Sequence, residues 1–224
     1  MQATQIPFDL SFRPAMGRDD FLVTDSNAEA VAWIDRWPDW PGHCLLLAGP
    51  SGSGKTHLAA VWQAVSGAEL ITNKDLKKFG IEELTRLSSS SVILEEAEEE
   101  LDEKALFHLF NLVREKRGSL LLTARTAPSR WNLSLPDLAS RLGTVPVAEI
   151  ATPDDALFAA LIVKLFSDRQ LAVTPDVIQY MTRRLERSFA AARDFVARLD
   201  AEALAKKRKV TVPLLRDIFQ KEQE

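Results

Sequence analysis

A three-layer α/β domain built on a parallel sheet, followed by a small all-helical domain, is the fold class that this 224-residue sequence predicts. Three observations carry it: short apolar runs that do not alternate, helical patterns lying between them, and the loss of strand signals after Ile150. Strands buried on both faces read as continuous apolar runs, and strand alternating with helix is the pattern of a parallel α/β sheet.

In chain order, residues 27–37 form the first helical pattern, and 43–48 (His-Cys-Leu-Leu-Leu-Ala) the first strand. Helix 56–65, strand 69–72, helix 75–87 and strand 91–94 follow. In 102–117 the residues Leu106, Leu109, Phe110 and Val113 fall on one helical face. Strand 119–123, a short helix ending at Leu142 and a weaker fifth strand at 145–150 complete the series. Thr152-Pro-Asp-Asp155 predicts a capping-box start to a helix reaching Asp168. Thr174 followed by proline starts the next by N-cap and first-turn logic. Helix 188–207 has an apolar stripe of Phe189, Phe195, Val196, Leu199 and Leu204, and 211–220 is the last. The division expected is a tail at 1–20, the α/β domain at 21–150 and the helical domain at 151–224. The helical part is short for an independent core, so it should pack on the first domain.

Composition sets the class. With 46% hydrophobic and 27% charged residues and a net charge of −4, the chain is an ordinary globular protein, not fibrous, collagen-like or disordered. Nothing in the total suits a coat for nucleic acid or an anionic membrane. The single cysteine, Cys44, has no partner for an internal disulfide and lies in an apolar strand, as a core residue would. A first segment without a basic start, and no apolar run near the ~18 residues that span a bilayer, predict a cytoplasmic protein without membrane contact.

The strongest chemical signal is Gly49-Pro50-Ser51-Gly52-Ser53-Gly54-Lys55-Thr56, which fits G-x-x-x-x-G-K-[ST] between an apolar strand and a helix. Glycines let successive N–H groups turn toward phosphate oxygens, and the helix N-terminus adds partial positive charge. Lys55 is expected on the β and γ phosphates of ADP or ATP, and the Thr56 hydroxyl on Mg²⁺. A carboxylate at the end of a neighbouring strand is needed beside them, and strand 91–94 ends in Glu95 and Glu96. Glu95 is expected at the metal and Glu96 at the attacking water. The rest of the acidic run, Glu98 to Glu100, reads as solvated surface. Thr123 at the end of its strand is a candidate sensor of the γ-phosphate, or a strand-end threonine with no ligand contact. On residues alone Arg141 is a surface arginine, or one that enters another subunit's site. Lys206-Lys-Arg-Lys209 suits a helix C-terminus, and His57, His108, Trp33, Trp37 and Trp40 read as packing residues.

Over residues 5–220 the chain resembles the DnaA branch of the AAA+ nucleotide-binding proteins. The loop continued by His57-Leu58 is similar to that branch's phosphate loop. Phe21-Leu-Val23-Thr-Asp-Ser-Asn27 is similar to the segment that wraps the adenine, and Ser140-Arg141 to the pair whose arginine is the family's finger. The closing 209–219 resembles the end of the branch's regulatory members, and the sequence shows no helix-turn-helix domain for origin DNA. The resemblance therefore implies a regulator that makes DnaA hydrolyse its ATP, with no sequence-specific DNA binding and room for a homo-oligomer. Gln5-Ile6-Pro7-Phe8-Asp9-Leu10 is similar to the peptide by which such regulators dock on the DNA polymerase III sliding clamp. Pro7 keeps it extended and Phe8 and Leu10 suit apolar pockets, although a frayed terminus is the other reading.

Departures from the family pattern are Glu95 for an aspartate, Arg125 for an aspartate, and Ala190 where the lid's sensor arginine would align. Arg187 and Arg193 lie about a turn to either side, Arg193 being the candidate for nucleotide. These departures point to weak hydrolysis by the chain itself with nucleotide binding intact. The rival functions are an ATP-driven helicase loader or transposition helper, and a binding module that uses ADP as a structural clip.

Overall fold

The computed structural model describes residue 23 and residues 25–206 and 208–221. Five strands, β1 (Cys44–Ala48), β2 (Glu69–Ile71), β3 (Ser91–Leu94), β4 (Ser119–Ala124) and β5 (Val147–Glu149), form one parallel sheet in the order β2-β3-β4-β1-β5. Helices α1 (Ala28–Asp35), α2 (Lys55–Ser66), α3 (Asn73–Leu76), α4 (Ile81–Leu87), α5 (Glu103–Lys116) and α6 (Pro136–Leu142) are interleaved with them. α7 (Asp155–Asp168), α8 (Pro175–Arg184), α9 (Phe189–Lys206) and α10 (Val212–Lys221) follow the last strand.

Side-chain direction alternates along a strand, so each strand supplies both faces of the sheet. Cys44, Leu46, Val92, Leu94, Leu120 and Leu122 pack with Leu84, Leu106, Phe110, Leu138 and Leu142 of α4, α5 and α6. Leu45, Leu47, Ile93 and Leu121 pack with Val31, Ile34, Leu58 and Trp62 of α1 and α2. Both faces are covered, which is why the strand sequences do not alternate. Trp40 packs against Trp62 with ring centres 5.0 Å apart and planes tilted by 33°, and donates to the Trp33 carbonyl, while Trp37 Nε1 donates to Ser119 Oγ, so these rings pack and anchor as expected. A third core, of Phe158, Ile162, Phe166, Met181, Phe195, Leu199 and Leu215, belongs to α7–α10.

Four details depart from expectation. The helix predicted at 75–87 is two, because Thr72 and Asp75 close a capping box on α3 and Gly80 caps α4. The fifth strand is shorter, Val147–Glu149. Asp154, not Thr152, caps α7 by accepting from the Leu157 N–H at 2.7 Å. Leu204 is 66% exposed, and the buried stripe of α9 continues through Ala203 instead. Among the described residues no helix is long and apolar enough to cross a membrane.

Candidate nucleotide site

In an open parallel sheet the ligand crevice lies beyond the carboxyl ends of the strands. β1 lies between β4 and β5 there, with Leu47 beside Thr123 and Ala48 beside Ala124 of β4, and the Gly49 N–H donates to the Ala124 carbonyl at 3.1 Å. The predicted phosphate loop is the turn from β1 into α2. Gly52 has φ +71° and Gly54, which caps α2, φ +103°, a region L side chains rarely adopt. Pro50, Ser51 and Thr56 are exposed, whereas Ser53 is buried and its Oγ has no hydrogen-bond partner. His57 is half-buried on the first turn of α2.

Lys55 is folded back over its own loop, with Nζ donating to the carbonyls of Gly49 (2.7 Å) and Pro50 (2.9 Å). Burial lowers its pKa from the usual lysine range. Of the neighbouring charges Glu98 acts on it most strongly and favours the ammonium, as do Glu96 and Glu95, while Arg125 opposes it.

The acidic segment after β3 is tied down by bonds that sequence did not suggest. Thr123 is buried, and its Oγ1 accepts the Glu96 N–H at 3.1 Å while its carbonyl accepts that of Ala97 at 2.8 Å. Asn73 Nδ2 donates to the carbonyls of Glu96 (2.9 Å) and Glu99 (2.8 Å). Glu96 itself is exposed and has φ +50°. Glu95 is half-buried at the strand end, with Oε1 enclosed and without a hydrogen-bond partner. Glu98 corrects the surface reading: it is half-buried, its carboxylate accepts the Arg125 N–H, and its Oε2 is enclosed without a partner. Glu99 and Glu100 are exposed, paired with Arg125 at 2.6 Å and Lys77 at 3.2 Å. Asn73, Glu98 and Arg125 are thus elements of the site that local pattern did not identify.

The helical domain touches the loop through its main chain. The Phe189 N–H at the start of α9 donates to the Gly52 carbonyl at 2.7 Å, and a Cβ on Gly52 would meet that of Ser188 at 2.8 Å and of Ala190 at 3.3 Å. Ser188 Oγ accepts the Ala191 N–H and so caps the helix. The lid arginines are engaged with acids: Arg187 with Asp155 at 2.6 Å, Arg193 with Asp194 at 3.6 Å. Val23 is half-exposed, Asn27 is buried at the start of α1, and Phe21 and the peptide Gln5 to Leu10 lie outside the described residues. Arg141 is on α6, whose Leu138 and Leu142 pack on the sheet face opposite α2. Its guanidinium carbon stands 5.3 Å from the centre of the Phe107 ring, a cation–π arrangement.

Comparison with known proteins agrees with this architecture. Residues 154–219 match the family described as Hda, lid domain. Domain III of the Thermotoga maritima replication initiation protein DnaA superposes with a TM-score of 0.79 at 17% identity, over 92% of this chain and 97% of that one. AMPPCP-bound DnaA from Aquifex aeolicus gives 0.76 at 18% identity, over 94% and 70%. The Thermotoga maritima RuvB Holliday junction branch migration motor gives 0.70 at 16%, over 92% and 71%. The chain thus has the fold of DnaA domain III, and its helical part, residues 154–219, matches the Hda lid domain.

Proposed function

We propose that this protein is a nucleotide-binding regulator of replication initiation that docks on the DNA polymerase III sliding clamp and stimulates ATP hydrolysis by DnaA through Arg141. The observation that carries the reading is an Hda lid domain seated, by the Phe189 to Gly52 bond, on a complete phosphate loop. ADP or ATP would be bound by residues 49–57, with 21–27 against the base. One of the similar folds, DnaA from Aquifex aeolicus, is known bound to AMPPCP.

Mg²⁺ fits the loop. Among the described residues no group of three or more acids, histidines or cysteines is placed to hold a metal. A nucleotide-borne Mg²⁺ needs only one or two carboxylates besides phosphate and water. The enclosed, unpartnered Glu95 Oε1 is such a group, and Thr56 is the hydroxyl beside the loop. Bound there, the ion would neutralise phosphate charge.

Arg141 suits work on a neighbour. It lies on the sheet face opposite α2, and stacking on Phe107 limits the wandering of a long side chain. A finger supplied in trans contributes about 10³ to 10⁵ in rate by placing charge where the transition state gathers it. The experiment is DnaA ATP turnover with clamp and DNA, with nucleotide affinity measured by calorimetry. Arg141→Ala should keep nucleotide and clamp binding and abolish stimulation, and Arg141→Lys should recover little because an ammonium lacks the planar fork. Full stimulation by Arg141→Ala would return Arg141 to the surface and remove the mechanism. Lys55→Ala that binds nucleotide as tightly as the unmodified chain would remove the loop's role.

A further inference from the structure

We propose that Glu98, rather than Glu96, takes the proton from the water that attacks the terminal phosphate of a bound nucleoside triphosphate. The assignment rests on the nucleotide reading above and extends it to hydrolysis by the chain itself. Both acids follow β3, but the segment presents them differently. What is held at Glu96 is its backbone, through Thr123 Oγ1 on its N–H and Asn73 on its carbonyl, and its side chain is exposed. The chain turns at Glu96, where φ is +50°, and Asn73 fastens the far side of the turn at the Glu99 carbonyl. Glu98 is thereby brought back toward the sheet.

There its carboxylate accepts the main-chain N–H of Arg125. Arg125 follows Ala124, whose carbonyl holds Gly49, so this acid lies where the end of β4 meets the phosphate loop. Of the nearby charged groups it is the one that acts most strongly on Lys55. Its second oxygen is enclosed and has no donor. A buried acceptor left unmade opposes folding, and a donor from water or from a ligand relieves that cost. Water supplies one. As the bond from the water oxygen to the γ-phosphorus forms, the bond from phosphorus to the bridging oxygen breaks and its electron pair leaves with the diphosphate. The water proton passes to Glu98 and from there to solvent after phosphate departs. A base positioned this way contributes about 10²- to 10⁴-fold.

The test uses the full chain in excess over labelled ATP, followed through one turnover, with ATP affinity measured separately. Glu98→Gln keeps an acceptor for the Arg125 N–H and nearly the same volume but cannot take the proton. It should bind ATP within about twofold of the unmodified chain and hydrolyse it at least about a hundredfold more slowly. Glu98→Ala should regain part of that loss when formate is added, a rescue that a purely structural role would not show. Glu100→Gln, the same charge change at the exposed partner of Lys77, should hydrolyse normally. Normal turnover by Glu98→Gln, or an unmodified chain that binds ATP and never cleaves it, overturns the assignment while leaving the nucleotide reading intact. An unmodified chain that binds no nucleotide removes both.

Discussion

Lys55 combines a charge, a partly buried site and a ligand role, and its electrostatics make a pH prediction. Burial depresses its folded-state pKa below the value near 10.5 of an unperturbed lysine. Below the depressed value both states are charged and the folded one carries the full penalty. Between the two values the unfolded chain holds the extra proton, so stability rises with pH through that window. Lys55→Met should therefore raise the melting temperature of the nucleotide-free protein at pH 8 and flatten the further gain on going to pH 10. A mutant that melts earlier at pH 8 would show that the two carbonyl bonds outweigh burial. Cys44 shifts the opposite way, its thiol pushed up to about 12 by burial. It should resist thiol reagents at pH 8 until the protein unfolds. Lys55 and its loop were legible in the sequence because eight consecutive residues carry the whole pattern. Glu98 was not, since its burial depends on Asn73, Thr123 and Arg125, residues up to 27 positions away that no local rule links to it.

α9 shows what periodicity can and cannot give. Its length and most of its buried stripe follow from helical spacing, but which residue closes the stripe depends on the packing of α7 and α10, and Ala203 takes the place expected of Leu204. The family resemblance implies Ala190 at the place of a sensor arginine. Only the fold reveals that Ser188, Phe189 and Ala190 rest on the loop through backbone and small side chains. Gly52→Ala tests that contact. The new methyl would stand 2.8 Å from Ser188 Cβ at a φ of +71°, so loop or helix must shift. The expected loss is about 1–3 kcal/mol of stability in chemical unfolding, accompanied by weaker nucleotide binding. A neutral substitution would mean that α9 does not bear on the loop in solution.

Three separate cores explain why the fold class was readable from the sequence while the relation between its parts was not. Two cores share the strands of one sheet and the third lies within α7–α10, whereas the bond from lid to phosphate loop joins main-chain atoms beside small side chains. The five tryptophans, 33, 37, 40, 62 and 131, all precede the helical domain, and Tyr180, the single tyrosine, lies within it. Removing the buried ring of Phe195, which stacks on Phe219 at 4.4 Å, should cost about 3–5 kcal/mol in the lid alone. Phe195→Ala should then lose part of its helical circular dichroism at a temperature where tryptophan fluorescence is unchanged, and coincident transitions would show that the cores melt as one. The bond from Phe189 to Gly52 also has a mechanical meaning. α9 has 18 residues and so runs about 27 Å from the loop. Pivoting at its loop end by about 10° would sweep its far end through about 5 Å. The phosphate loop therefore holds one end of a rigid rod, and a small change of angle at that end would be read as a shift of several ångströms at the other, from which α10 follows.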